Sequence, residues 1–365
     1  MLTLQRVIMR SLTEPRFYHI ASAKSPDFPL FKLAYTERRR AHYNLHMTPS
    51  TKHDHPLDQS QTIPNTSHKT VRQIFLAGLV LAIAGAVLFS AKAIVVKLLY
   101  RHDIDAMSVL AFRMLFSLPF FGVIAFIKMR QSPSLLPSDR WRLILLGLLG
   151  YYLSSYLDFI GLLYISAGLE RLILFLTPSL VMLMSIFLFK RKVDQREWLA
   201  LLICYTGTIL VFIHDVKTSG NHVLLGGAFV FASAVFYALY LLFSGELVKR
   251  VGTSRLVSYV MCVSGVTAVG QFLLFRPWSN LIQPLPVYGL SLVNAIFCTV
   301  LPVFLTMMAI ARIGAGVSAL AGMVGPVSTL FLAALILGEP ITAIQLVGTA
   351  LVIAGMLLLS RKHHL

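Results

Sequence analysis

Five ionisable residues stand where a charge is expensive. Lys92, Arg113, Asp158, Glu170 and Arg171 each interrupt or border a long apolar run, as in Phe89-Ser90-Ala91-Lys92-Ala93-Ile94-Val95. If such runs lie in hydrocarbon, each charge costs a few kcal/mol. It is kept where it faces a cavity, pairs with another charge or meets a ligand. Asp158 has Tyr151 and Ser155 at i−7 and i−3 on one helical face, whereas Tyr156 points elsewhere and is expected only to pack. Farther along, Ser233, Tyr237, Tyr240 and Ser244 follow i, i+4, i+7, i+11 and make one stripe. Asn294, with Cys298 at i+4, can bond a ligand or pin two helices, and Pro302 can leave a carbonyl free. These side chains offer ion pairing, proton exchange and recognition of a charged small molecule. The sequence has no Walker-type glycine loop, zincin helix or nucleophile elbow, so an enzyme is not expected.

The elements that carry these residues follow from composition. The 365 residues are 57% hydrophobic and 13% charged, with a mean hydropathy of +0.76, against about 25% charged in a soluble domain. Too few polar residues are present to wet the surface of a soluble fold this size. From about residue 74, apolar runs of roughly the 20 residues needed to cross a bilayer alternate with short polar breaks. They fall at 74–98, 107–128, 142–165, 168–189, 197–214, 222–245, 256–275, 287–311, 315–337 and 341–360. Barrel strands would alternate polar and apolar residues, and these runs do not. The expected fold class is an all-α polytopic membrane protein with ten transmembrane helices, and its first partner is the lipid bilayer. Trp141, Trp198 and Trp278 sit at predicted ends, where the headgroup layer suits them.

A net charge of +17 and a pI near 10 would suit nucleic acid. The basic residues beyond 72 instead occupy gaps between spans, so no nucleic-acid partner is expected. Even-numbered gaps and the C-terminal tail hold fourteen Lys/Arg, from Lys128 to Lys362, while odd-numbered gaps hold four, Arg101, Arg171, Lys217 and Arg276. The positive-inside rule then places both termini in the cytosol, with the plasma (inner) membrane as the expected location. The five charges come to lie roughly 5–11 Å inside the outer ends of their helices. Cys204, Cys262 and Cys298 have no metal-ligand spacing and read as buried free thiols.

Residues 1–71 are a different polymer, with six prolines, Arg38-Arg39-Arg40 and no long apolar run. They read as a disordered basic cytosolic tail. An organelle transit peptide and a translation start at Met47 are the alternatives. His53 and His55 beside Asp54 are expected to be solvated, not to bind metal.

Sliding the chain by 148 residues superposes spans one to five (72–215) on spans six to ten (222–361) without a gap. Gly78, Gly122, Gly168 and Gly207 land on Gly226, Gly270, Gly316 and Gly355, and Pro178 lands on Pro326. Five spans is an odd number, so the repeats are inverted, the architecture of secondary transporters with a site between the halves. The charges are not duplicated: Lys92, Arg113, Asp158, Glu170 and Arg171 correspond to Tyr240, Met261, Thr306, Ser318 and Ala319.

Leu337-Gly338-Glu339-Pro340, followed by Gln345, Gly348 and Gly355, resembles the turn that opens the last helix in the EamA-like branch of the drug/metabolite transporter superfamily. Tyr164-Ile165-Ser166-Ala167-Gly168, leading to Pro178, resembles the third-to-fourth helix junction of its first repeat. The likeness covers 72–362, with a departure at Lys190-Arg191-Lys192, where the second repeat has Gly338-Glu339-Pro340. It implies a permease that exports or exchanges small metabolites by alternating access, without a cofactor. A non-transporting sensor or scaffold is the alternative.

The expected substrate-binding or ion-coupling residues are Lys92, Arg113, Asp158, Glu170, Arg171, Tyr237, Tyr240 and Asn294. Three cations and two carboxylates suit an anionic or zwitterionic substrate such as an amino acid. An Arg113–Asp158 pair is the structural alternative, with Lys92 reaching the outer headgroups and Glu170-Arg171 in a loop. Glu339, at the outer turn, is expected to matter less. Ser318, Gly322, Gly325 and Thr329 should permit close packing. Gln345, Gly348, Val352 and Gly355 should do the same or form a homodimer contact through the last helix.

Overall fold

The computed structural model describes residues 68–189, 194–220 and 222–360. The chain divides into two units, Met1–Leu76 with His364–Leu365, and Ala77–His363. Every contact given below lies within the second. The expected tail and its histidines, and Lys190-Arg191-Lys192, fall outside the described residues.

Among the described residues all regular structure is helical. The first repeat contains α1 (His68–Tyr100), α2 (Ala106–Gln131), α3 (Pro137–Leu162), α4 (Ala167–Leu188) and α5 (Gln195–Ser219). The second contains α6 (His222–Val251), α7 (Thr253–Phe275), α8 (Leu285–Gly314), α9 (Val317–Leu337) and α10 (Ala343–Ser360). Nine of these are long and apolar enough to cross a bilayer. The tenth, α10, is the shortest, because Gly338 takes a left-handed φ of 74° and Pro340 delays the restart of the helix. At 1.5 Å per residue it still reaches about 27 Å, close to the hydrocarbon thickness.

Two irregularities repeat along with the helices. A π turn begins at Leu148 in α3 and at Ile296 in α8, 148 residues apart, and α4 and α9 are broken at Phe175 and Met323, the same interval. In α8 the π turn precedes Pro302, which has no amide hydrogen to give the turn above it. In α3 the equivalent position is Ser154, so proline is not the general cause.

Without a hydrophobic force between helices in lipid, close packing and hydrogen bonds hold the bundle together. At the α5/α10 crossing, a methyl on Gly207 would meet the Gly348 carbonyl oxygen at 2.7 Å, and one on Gly348 would meet that of Gly207 at 2.7 Å. One on Gly355 would meet the Ala200 carbonyl oxygen at 2.8 Å, which is the repeat image of the Gly207 contact. Between them the Cys204 thiol donates to the Val352 carbonyl at 3.5 Å across 148 residues. The glycine face of α10 is therefore occupied by α5 of the same chain. On the same helix Leu346 and Val347 are exposed. The α3/α6 crossing has the same character, with Gly161 and Gly226 each against the other's carbonyl oxygen. Cys204 and Cys298 are buried free thiols, and Cys262 is half-buried.

Candidate functional site

Four helices of the first repeat bring their charges together. Lys92 comes from the last third of α1 and Arg113 from the second turn of α2. Asp158 lies one turn before the end of α3, and Glu170 and Arg171 lie in the first turns of α4. Ser166 starts α4 by accepting from the Leu169 amide at 3.1 Å, and its hydroxyl donates to Asp215 at 3.0 Å. Glu170 and Arg171 are therefore helical and inside the bundle, not in a loop.

The Lys92 ammonium lies 2.6 Å from Asp158 Oδ2 and 3.3 Å from Glu170 Oε1. Lys92, Asp158 and Glu170 are 5%, 2% and 0% exposed, so Lys92 does not reach toward headgroups. Neither Glu170 oxygen accepts a hydrogen bond, nor does Asp158 Oδ1. One ammonium thus serves two carboxylates, and half of their acceptor capacity or more is left open.

The other two cations flank this centre across aromatic rings. Arg113 lies 5.4 Å from the Phe159 ring, Lys92 lies 6.0 Å from Phe159 and 5.6 Å from Phe89, and Arg171 lies 5.3 Å from Phe89. Each contact suits the negative face of an aromatic ring. Among the described residues neither guanidinium has a carboxylate within 4.0 Å. The alternative Arg113–Asp158 pair is absent because Arg113 turns to hydroxyls. Its Nε donates to Thr299 Oγ1 at 2.8 Å and its Nη1 to Ser155 Oγ at 3.4 Å. Arg171 donates to Ser90 Oγ at 3.2 Å, and Ser90 in turn donates to the Gly325 carbonyl at 3.0 Å. A methyl on Gly325 would come within 2.9 Å of Arg171 Nη2. This glycine, expected only to ease helix packing, makes room for a cation.

Tyr237 and Tyr240 of α6 join Tyr151 of α3. The ring centroids of Tyr151 lie 6.0 and 5.3 Å from theirs, with the rings edge to face. Ser154 and Ser233 share a hydrogen bond at 3.0 Å. Asn294 is not brought in. Its side chain is fully buried with neither amide atom hydrogen-bonded, and its hydrogen bond to the cluster comes through its backbone, where Thr299 donates to its carbonyl at 3.0 Å.

At the turns that follow α1 and α9 the two repeats are tied together. Lys97 lies 3.3 Å from Glu339, whose carboxylate also accepts from the Ala167 amide at 3.2 Å. That amide is one of the otherwise orphaned donors opening α4, and a carboxylate there is favoured by the helix dipole. Arg101 donates to the Leu337 carbonyl at 2.9 Å, and Arg276 pairs with Asp105 at 2.8 Å. Glu339 therefore ties the two repeats together. Sequence reading also missed Ser90, Thr299, Phe89 and Phe159. Only Phe89, at i−3 from Lys92, gave a signal.

The fold and the buried charges define a class: a helical membrane transporter made of two five-helix repeats. Residues 76–213 and 224–361 each match the EamA-like transporter family, at the same 148-residue interval, and the chain belongs to that family. It is 32% identical over 295 residues to the uncharacterized transporter YcbK of Bacillus subtilis (strain 168), covering 77% of this chain and 92% of that protein. It is 25% identical to YetK of the same organism, also an uncharacterized transporter, over 61% of this chain and 69% of that one. A solved crystal structure aligns with a TM-score of 0.54 at 17% identity, covering 81% of this chain and 99% of the other. That likeness concerns the fold alone. The chain is a multi-pass integral membrane protein and a membrane transporter.

Proposed function

We propose that the chain is a secondary transporter that moves small zwitterionic or anionic metabolites by alternating access, with both termini cytosolic in the plasma membrane. Lys92, Asp158 and Glu170 form the coupling and binding centre, flanked by Arg113 and Arg171. The observation that carries this reading is the buried ammonium shared by two under-satisfied carboxylates. With no nucleotide motif in the chain, uphill transport must draw on a gradient. A carboxylate left over by one ammonium can take either a proton or a substrate's ammonium group, and the hydroxyl-bonded guanidiniums offer free donors for a substrate carboxylate. Inverted repeats supply the exchange of conformations. The outer ties at Lys97–Glu339 and Arg101–Leu337 would have to part when that side opens.

The test is flux of labelled amino acids and organic anions into liposomes holding the purified full chain, with and without a pH gradient. Asp158→Asn and Glu170→Gln should insert and yet lose pH-dependent flux. Wild-type flux and pH profile in both variants would remove the cluster from the mechanism. A chain across which none of these solutes moves would be a sensor or scaffold.

A further inference from the structure

The three buried cations are held in two ways. Lys92 engages carboxylates, whereas each guanidinium donates to hydroxyls. A hydroxyl has one proton, and the partner that takes it decides which way the lone pairs face. The Thr299 hydroxyl donates to the Asn294 carbonyl at 3.0 Å, which leaves its lone pairs for Arg113 Nε at 2.8 Å. Ser90 works alike. It lies 2.7 Å from the Ala86 carbonyl and 3.0 Å from that of Gly325, and it accepts from Arg171 at 3.2 Å. A guanidinium can only donate, so a hydroxyl locked as an acceptor is a fixed anchor for it. Asn294 and Gly325 both belong to the second repeat, which contributes no charge to the cluster.

The Thr299 anchor depends on the π turn over Ile296–Val300. In a regular α-helix a threonine hydroxyl bonds back to the carbonyl four residues earlier. Here it reaches the carbonyl five residues earlier, that of Asn294. The first repeat has its π turn at the same place, but Tyr151 stands there for Thr299, and Met261 is the repeat image of Arg113. The device exists once. Without it Arg113 has a stronger partner close by. Its Nη1 donates to Ser155 Oγ at 3.4 Å, and Ser155 lies three residues before Asp158, a neighbour on one face of α3. Asp158 Oδ1 is buried and accepts nothing. Inside a low-dielectric bundle a freed guanidinium one helical turn away is drawn to that oxygen.

We infer that Thr299 is a positioning residue, which holds Arg113 off Asp158 and so keeps the guanidinium open to a substrate carboxylate. The substrate half of this rests on the transport reading, and the anchor does not. The anchor is therefore tested without substrate, through the Arg113–Asp158 coupling in a double-mutant cycle. Arg113→Gln, Asp158→Asn and the double variant of the full chain are unfolded in detergent beside Thr299, Thr299→Val and Thr299→Ser. Coupling beside Thr299→Val should exceed the wild-type value about tenfold in the unfolding constant, as for a pair brought into contact. Thr299→Ser, which keeps the hydroxyl, should return it to the wild-type value. Equal coupling in all three backgrounds would overturn the inference, as would a serine variant that behaves like the valine one. Thr299→Ala carries the same cycle where Thr299→Val does not fold. In liposomes, Thr299→Val should raise the KM for labelled amino acids and organic anions about tenfold, the weight of one hydrogen bond to a charged group, with a smaller change in kcat. Stronger coupling with an unchanged KM would overturn the substrate half. A wild-type chain that moves none of these solutes would defeat the transport reading, and the cycle would still decide the anchor.

Discussion

The α5/α10 seam and the charged cluster obey opposite rules. At the seam the close approaches to backbone come as repeat images: Gly207 on Gly348 is answered by Gly355 on Ala200, and Cys204 meets its own equivalent, Val352. In the cluster none does, since Lys92, Asp158 and Glu170 correspond to Tyr240, Thr306 and Ser318. The difference is energetic. Two helices that cross at a two-fold axis must both be slim where they touch, because dispersion at close range holds them and each supplies half of the surface. A buried charge cluster needs to be present only once. Desolvating a second set would cost several kcal/mol per ion before any pairing offset it. Packing is duplicated because geometry demands it, and charge is single because duplicating it would be a penalty.

The sharpest way to break this contrast is Lys92→Met, which leaves Asp158 and Glu170 buried without their cation. It should destabilise the chain by about 3–5 kcal/mol, read from thermal unfolding in detergent. Thr306→Val, at the repeat image of Asp158, should stay within about 0.5 kcal/mol. Similar losses at both positions would mean that the asymmetry has no energetic content. Next comes Gly348→Ala, whose methyl would lie 2.3 Å from Val211 Cγ2 and should cost about 1–3 kcal/mol by overpacking. Gly122→Ala and its image Gly270→Ala meet nothing within 4 Å. They should be neutral or gain up to about 1 kcal/mol of helix propensity, and the opposite ordering in chemical-denaturant melts would refute the seam.

Gly325→Ala sits between the two regimes, because its methyl crowds the movable end of Arg171 and not a backbone. Stability should change by about 1 kcal/mol or less, while the KM for flux rises as Arg171 is displaced. An unchanged KM would detach Arg171 from the site.

The smallest effect is expected at Asp105, outside the membrane spans. Partial burial pushes its carboxyl up, but the Ser108 hydroxyl and the Arg276 guanidinium more than offset this and hold it below the usual carboxylate range. A depressed folded-state value adds stability above the unfolded carboxylate range, and that stability is lost as pH falls through the folded value. Arg276→Gln should therefore narrow the acid-stable range slightly and cost less than about 1 kcal/mol at neutral pH. Melts from pH 7 to 3 would show it, and an identical acid limb in both proteins would refute the pairing.

The helices, their number and the 148-residue repeat were legible because hydrocarbon leaves few solutions for a chain, and each solution marks its sequence with length, apolarity and small residues. The five charges could be named as a group for the same reason. Their partners could not. Lys92, Asp158 and Glu170 meet across helices that are 66 and 78 residues apart in the chain, and nothing in spacing says that Arg113 turns to Thr299 and Ser155. The repeat-related π turns left no shared mark: Pro302 follows one of them, yet a serine stands at the equivalent place after the other. Glu339 looked peripheral because a turn residue reveals its role only when the helix end it caps, here that of α4, is known. The glycine face of α10 was open between a partner chain and a partner helix. The crossing with α5 shows that a helix of the same chain fills that face.

The Cys204–Val352 contact lies where the two repeats meet at equivalent positions. If the halves trade shapes, every atom off the axis has a new neighbour to find, while the atoms on the axis stay where they are. A reporter attached to the one thiol at this hinge line should register the same surroundings whichever face of the bilayer the protein has opened. The place where two copies of an ancestral pattern meet themselves would then be the still point of its motion.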